Sequence, residues 1–118
     1  MTADAVTRLK RYHDALNHFA ADVVAPMFAE DAVYRSVGIG TLHGRDAIIR
    51  AMAEYFAEYV DQVATDDSIT EIEAGKVRSE WRITATSSRS GQEIARRGVE
   101  IVTFDADGLI VEVAVEDH

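Results

Sequence analysis

The helical period of this chain disappears near Asp61, and the change limits what the chain can fold into. Before it, apart from one short alternating stretch, apolar residues recur every three or four positions, as on one face of a helix. After it they alternate, as in a half-buried strand. A chain of 118 residues can build one core but not two. Helices from the first part must therefore pack on strands from the second, as one domain over residues 1–118.

The helical part divides into three. From about Ala3 to Asn17 the apolar stripe is Val6, Leu9, Tyr12 or His13, and Leu16, with Thr2 or Asp4 as the cap. Asp22 to Ala29 predicts a short second helix, in which Pro26 is tolerable close to the first turn. Asp31 to Val37 alternates as a lone strand, with Ala32, Tyr34 and Ser36 on one face and Val33, Arg35 and Val37 on the other. The Arg35 face is expected to be the buried one. Gly38, Gly40 and Gly44 mark a loop, and a third helix is predicted over Asp46 to Val60, with Ile48, Met52, Tyr55, Phe56 and Tyr59 inward.

The strand part predicts four members. They are Val63 to Glu73 (interrupted at Asp66 to Ser68), Val77 to Thr86, Gln92 to Phe104, and Leu109 to Val115. Turns at Ser88 to Gly91 and Asp105 to Gly108 separate the last three. The last strand is expected to carry Leu109, Val111, Val113 and Val115 on one side. Helices gathered on one face of a curved, mainly antiparallel sheet make an α+β fold, with an apolar cavity between the layers where small ligands usually bind.

Charge and composition exclude several function classes. With 21 acidic and 12 basic residues the net charge is −9, the wrong sign for a nucleic-acid or anionic-membrane surface. Without cysteine there is no disulfide framework, thiolate nucleophile or cysteine metal site. The N-terminus lacks the pattern of a signal peptide, and no apolar run approaches the roughly 20 residues that span a bilayer. A cytoplasmic protein is the expectation. His13, His18, His43 and His118 have no metal-ligand spacing, so neither a metal nor another cofactor is expected.

Glu100 is the residue most at odds with its surroundings. It shares a strand face with Val102 and Phe104, and the opposite face of Val99, Ile101 and Thr103 is also mostly apolar. A lone carboxylate there is desolvated and driven toward its protonated form, able to donate to a developing oxyanion or act as an acid. The alternatives are a buried ion pair, or a place at a sheet edge or dimer contact. Arg35 is the favoured partner for that pair; otherwise it holds a ligand carboxylate or enolate. The Tyr12 phenol can donate to a carbonyl oxygen or satisfy a core hydrogen bond. His13 follows it and can share its face. Phe56 and Trp81 are core or pocket lining. Arg89, Arg96 and Arg97 are assigned to a solvated edge.

At RYHDALN, MFAEDAVYRSVG, HGRDAI and RRGVEIVTFDADGLIVEV the chain resembles the family that holds nuclear transport factor 2, the ketosteroid isomerases and the SnoaL-like polyketide cyclases. The resemblance spans nearly the whole chain. It implies a cone-shaped fold with a deep apolar pocket, usually as a homodimer, in a family of isomerases, cyclases, dehydratases, epoxide hydrolases and non-catalytic binding modules. Against the ketosteroid isomerases, Tyr12 falls at the oxyanion-hole tyrosine and Glu100 at the protonated acid, which they carry as aspartate. Their general base falls at Arg35, which cannot take a proton at neutral pH.

What the resemblance implies is therefore a pocket with donors aimed at a carbonyl, plus a cation. Such a pocket serves proton transfer on a small hydrophobic carbonyl compound, with Tyr12 and Glu100 acting, Arg35 as electrostatic partner, and Glu100 or His13 as base. The alternative is a ligand-binding or dimerisation module for a phenolic or acidic ligand, with Arg35 and Glu100 as a structural ion pair.

Overall fold

The computed structural model describes residues 4–36 and 40–118. Thr2, Ala3, Val37 and Gly38, named above, lie outside them. Helix α1 (Ala5–Asn17) starts where the Asp4 carboxylate accepts from the Thr7 backbone N–H at 2.7 Å. It buries Ala5, Leu9, Tyr12 and Ala15, so Tyr12 lies at the centre of its stripe.

The second helix is shorter than its sequence pattern suggests. After α2 (Ala21–Val24), Pro26 sits in a single 3-10 turn (Ala25–Met27), and Phe28 already has extended backbone. Strand β1 is correspondingly longer, Phe28–Ser36. Strand β2 (Gly40–His43) lies where a loop was expected; its four residues pair antiparallel with β1, Val33 opposite His43 and Ser36 opposite Gly40. Glycines concealed it, since they weaken the alternation that marks a strand. Gly44, at φ 92°, then turns the chain into α3 (Arg45–Glu58).

Strands β3 (Val63–Glu73), β4 (Lys76–Thr86), β5 (Glu93–Phe104) and β6 (Ile110–Asp117) complete a six-stranded sheet in the order β2-β1-β6-β5-β4-β3. Every pair is antiparallel except β1 with β6. The helices lie on one face, α1 over β3 and β4, and α3 over β1 and β2. The fold is thus α+β, a curved, mostly antiparallel sheet closed by three helices.

Two bulges change which side chains point inward. Between Asp66 and Ser68 the β3–β4 register slips, leaving Asp67 as the extra residue; this is the interruption read in the sequence. Between Thr103 and Phe104 a second slip pairs Phe104 with Ile110 and Thr103 with Glu112. Ile110 and Val113 are consequently the fully buried residues of β6, rather than one continuous face from Leu109 to Val115.

Leu9, Tyr12, Val24, Phe28, Ala32, Ile48, Val77, Val102, Ile110 and Val113 form the core between helices and sheet. Among the described residues no helix is long and apolar enough to cross a membrane.

Candidate functional site

Above this core the layers separate around a cavity of about 150 Å³. A space of that size accommodates roughly one aromatic ring. Leu16, Leu42, Ile48, Met52, Phe56 and Ile83 supply apolar wall, and Tyr12, His13, Trp81 and Glu100 also line it. Five of the six side chains singled out in the sequence are therefore brought together.

Arg35 is the exception. Alternation along β1 turns Tyr34 and Ser36 into the cavity and leaves Arg35 outside, its side chain 58% exposed. It faces Glu112 at 3.9 Å, and the expected Arg35–Glu100 pair does not form. Val33 and Val37 made the Arg35 face look like the inner one. The helices instead cover the face of Ala32 and Tyr34, where the smaller Ala32 is completely buried.

The partner of Glu100 is His13. Its Nε2 lies 2.6 Å from Glu100 Oε1, and its Nδ1 lies 2.7 Å from Asp66 Oδ2. Position 13 lies beside Tyr12 on the shoulder of the buried stripe, close enough to β5 and β3 to reach both acids. Burial alone would lower the His13 pKa; the Glu100 charge and the hydrogen bonds to Asp66 and Glu100 outweigh it and hold the pKa at about 10. At neutral pH the ring is an imidazolium with both N–H groups donating. Among the described residues no group of three or more His, Asp or Glu side chains is placed to hold a metal ion.

This row removes the premise of a lone desolvated Glu100. The acid is 7% exposed but has a cation at hydrogen-bond distance. Asp66 was missed because its stretch looked like a break in β3. The register runs unbroken from Val63 to Asp66 and slips only after it, so ordinary alternation keeps Asp66 on the same face as Ala64 and directs it inward. Ala64 and Asp66 at a two-residue spacing were the available signal.

Several polar groups around the cavity have no hydrogen-bond partner among the described residues. They are the hydroxyls of Tyr12 and Tyr55, the Trp81 indole N–H and Gln62 Oε1, each on a residue that lines the space. Buried groups of this kind are almost always satisfied, so their convergence on one cavity marks where a ligand would bond. Tyr12 is 1% exposed and packs edge-on against Phe28, with ring centroids 5.6 Å apart. Burial, reinforced by the Glu100 charge, pushes its phenol pKa well up, which keeps it a donor. Burial and then Glu100 push Tyr34 up as well.

Arg96 also lines the cavity, against the expectation of a solvated edge. Even-numbered residues of β5 face inward, and Arg96 and Glu100 share that face.

The SnoaL-like domain family model matches residues 9–113. The chain belongs to that family. This SnoaL-like domain superposes on an NTF2-like protein of unknown function from Exiguobacterium sp. 255-15 with a TM-score of 0.82 at 21% identity, covering 94% of this chain and 98% of that one. It superposes on an uncharacterised cystatin-fold protein from Novosphingobium aromaticivorans with a TM-score of 0.88 at 14% identity, covering 98% and 99%. No curated protein matches it. At these identities the likeness is one of fold, and the chemistry of this SnoaL-like domain has to be argued from its own side chains.

Proposed function

We propose that the cavity binds a small, one-ring carbonyl compound and moves a proton on it, as an isomerase, cyclase or dehydratase does. The observation that carries this reading is the meeting, at one apolar cavity, of an unpartnered phenol donor on Tyr12 and the Glu100–His13–Asp66 row. Glu100 Oε1 is held by His13, which leaves Oε2 to act on the ligand. It takes a proton from the carbon next to the carbonyl. The C–H electron pair becomes the enolate double bond, and the charge that develops on oxygen is met by the Tyr12 hydroxyl.

His13 and Asp66 hold Glu100 in place. Asp66 accepts from Nδ1–H, and the imidazolium donates Nε2–H to Oε1, which fixes the carboxylate and offsets its charge. The acid formed on Glu100 then returns its proton to another carbon, which isomerises the ligand, or to a departing hydroxyl, which dehydrates it. Low polarity around the row strengthens each of these interactions.

A phenolate resembles the enolate in charge and shape, so phenol is the simplest probe. Calorimetric titration with phenol should show binding to the parent and at least about tenfold weaker binding to Tyr12→Phe. Equal affinity in the two proteins would remove Tyr12 from the site and the reading with it.

A further inference from the structure

Two groups at the cavity can only donate. Among the described residues the Tyr12 and Tyr55 hydroxyls, the Trp81 indole N–H and Gln62 Oε1 are unpartnered; the hydroxyls can donate or accept and the amide oxygen accepts, but the indole only donates. Arg96 is the second donor-only group. Its Nε and Nη2 donate to Asp117 at 2.7 and 2.9 Å, which leaves the Nη1 hydrogens. A ligand that meets these two groups must bring acceptors to them.

The donors are also spread between two ends. Arg96 and Glu100 sit four residues apart on the inner face of β5, about 13 Å along the strand. Gly98 lies between them opposite Trp81, and a Cβ there would collide with the Glu116 carbonyl oxygen and come within 2.8 Å of Trp81 Cζ2. Glycine thus lets the indole lie across the strand between the two charged residues. The Arg96 guanidinium stands 5.7 Å from the Trp81 ring centroid. One end of the cavity therefore carries the Glu100 row and Tyr12, the other carries a guanidinium, and the Trp81 ring lies between them.

We infer that the ligand is an anion: a one-ring compound with its reactive oxygen at Tyr12 and a carboxylate at the opposite end, held by Arg96 and Trp81. This rests on the proton-transfer reading above and names the substrate class for the same site. Asp117 occupies Arg96 when the carboxylate is absent. That pair is partly exposed, with side chains 35% and 40% accessible, and is accordingly easy to exchange. The guanidinium presents a planar fork to a carboxylate, which a neutral amide of the same shape cannot match.

The test compares phenol, 4-hydroxybenzamide and 4-hydroxybenzoate by calorimetry in the parent, Arg96→Gln and Asp117→Asn. The parent should prefer the benzoate over the benzamide by about tenfold or more, the scale of a charge-assisted hydrogen bond. In Arg96→Gln the preference should vanish while phenol still binds. In Asp117→Asn, which keeps the arginine, the preference should grow, because the guanidinium loses its competing carboxylate. Equal affinity for the two ligands in the parent, or a preference that survives Arg96→Gln or fails to grow in Asp117→Asn, overturns the inference; phenol binding that still depends on Tyr12 then leaves the proton-transfer reading standing. Failure of all three ligands to bind the parent removes both.

Discussion

His13 and Glu100 are 87 residues apart in sequence and 2.6 Å apart in the fold, joined across the gap between α1 and β5. With Asp66 on the far side of the ring, the pair places a buried cation between two acids at the wall of a small apolar cavity. The predictions below follow from that arrangement and from the side chains around it.

The first concerns pH. The folded His13 pKa of about 10 lies above the unfolded value of about 6.5, so its contribution to stability is complete below pH 6.5 and is lost as pH rises through 10. Between those values the folded state holds a proton that the unfolded chain has released. Stability should therefore fall by about 1.4 kcal/mol per pH unit relative to a His13→Gln variant. Urea unfolding of both proteins at pH 6, 7, 8 and 9 measures the difference. Parallel profiles would mean the row is not charged as described.

Tyr12→Phe should affect stability and binding in opposite directions. The hydroxyl is buried and unpartnered among the described residues, so its removal should leave stability unchanged or raise it by up to about 1 kcal/mol. Phenol binding should weaken in the same variant. A stability loss above about 1 kcal/mol, seen in thermal or urea melts, would point to a structural hydrogen bond instead.

Gly98→Ala should destabilise the protein by more than about 2 kcal/mol, because the added methyl meets backbone at Glu116 and the ring of Trp81. Thermal melts and tryptophan fluorescence report both effects, since Trp81 is the single tryptophan. Unaltered melting and emission would show that the strand relaxes around the methyl.

Arg35→Ala should do little. Its ion pair with Glu112 is long and exposed, and its loss should change stability by no more than about 0.5 kcal/mol and leave phenol binding unaltered. A tenfold loss of phenol binding would return Arg35 to the site.

The contrast between Arg35 and His13 shows what the sequence does and does not expose. Fold class, the order of helices and strands apart from β2, and the inner stripe of α1 were legible because each is a local period of apolar residues. Tyr12, Glu100, Phe56 and Trp81 stood out for the same reason, each lying on an apolar face. The face of β1 was misread because a two-residue period identifies two faces without saying which one the helices cover. Asp66 was passed over because its stretch looked like a break in the strand, and Arg96 because charge on a strand reads as solvent exposure; strand alternation turns both to the cavity. Pairing of His13 with two acids, 53 and 87 residues away, is a product of topology and leaves no local mark.

The central claim is that Glu100 removes a proton from carbon, and proton exchange measures this without the natural substrate. Cyclohex-2-enone, a one-ring carbonyl compound, can be incubated in D2O with the parent and with Glu100→Gln, and deuterium uptake followed by NMR. The account predicts uptake at the acidic C–H positions at least about 100-fold faster with the parent than with the folded variant. Uptake with the parent no faster than in buffer, or equal in the two proteins, would contradict it and leave a cavity that binds ligands without transforming them.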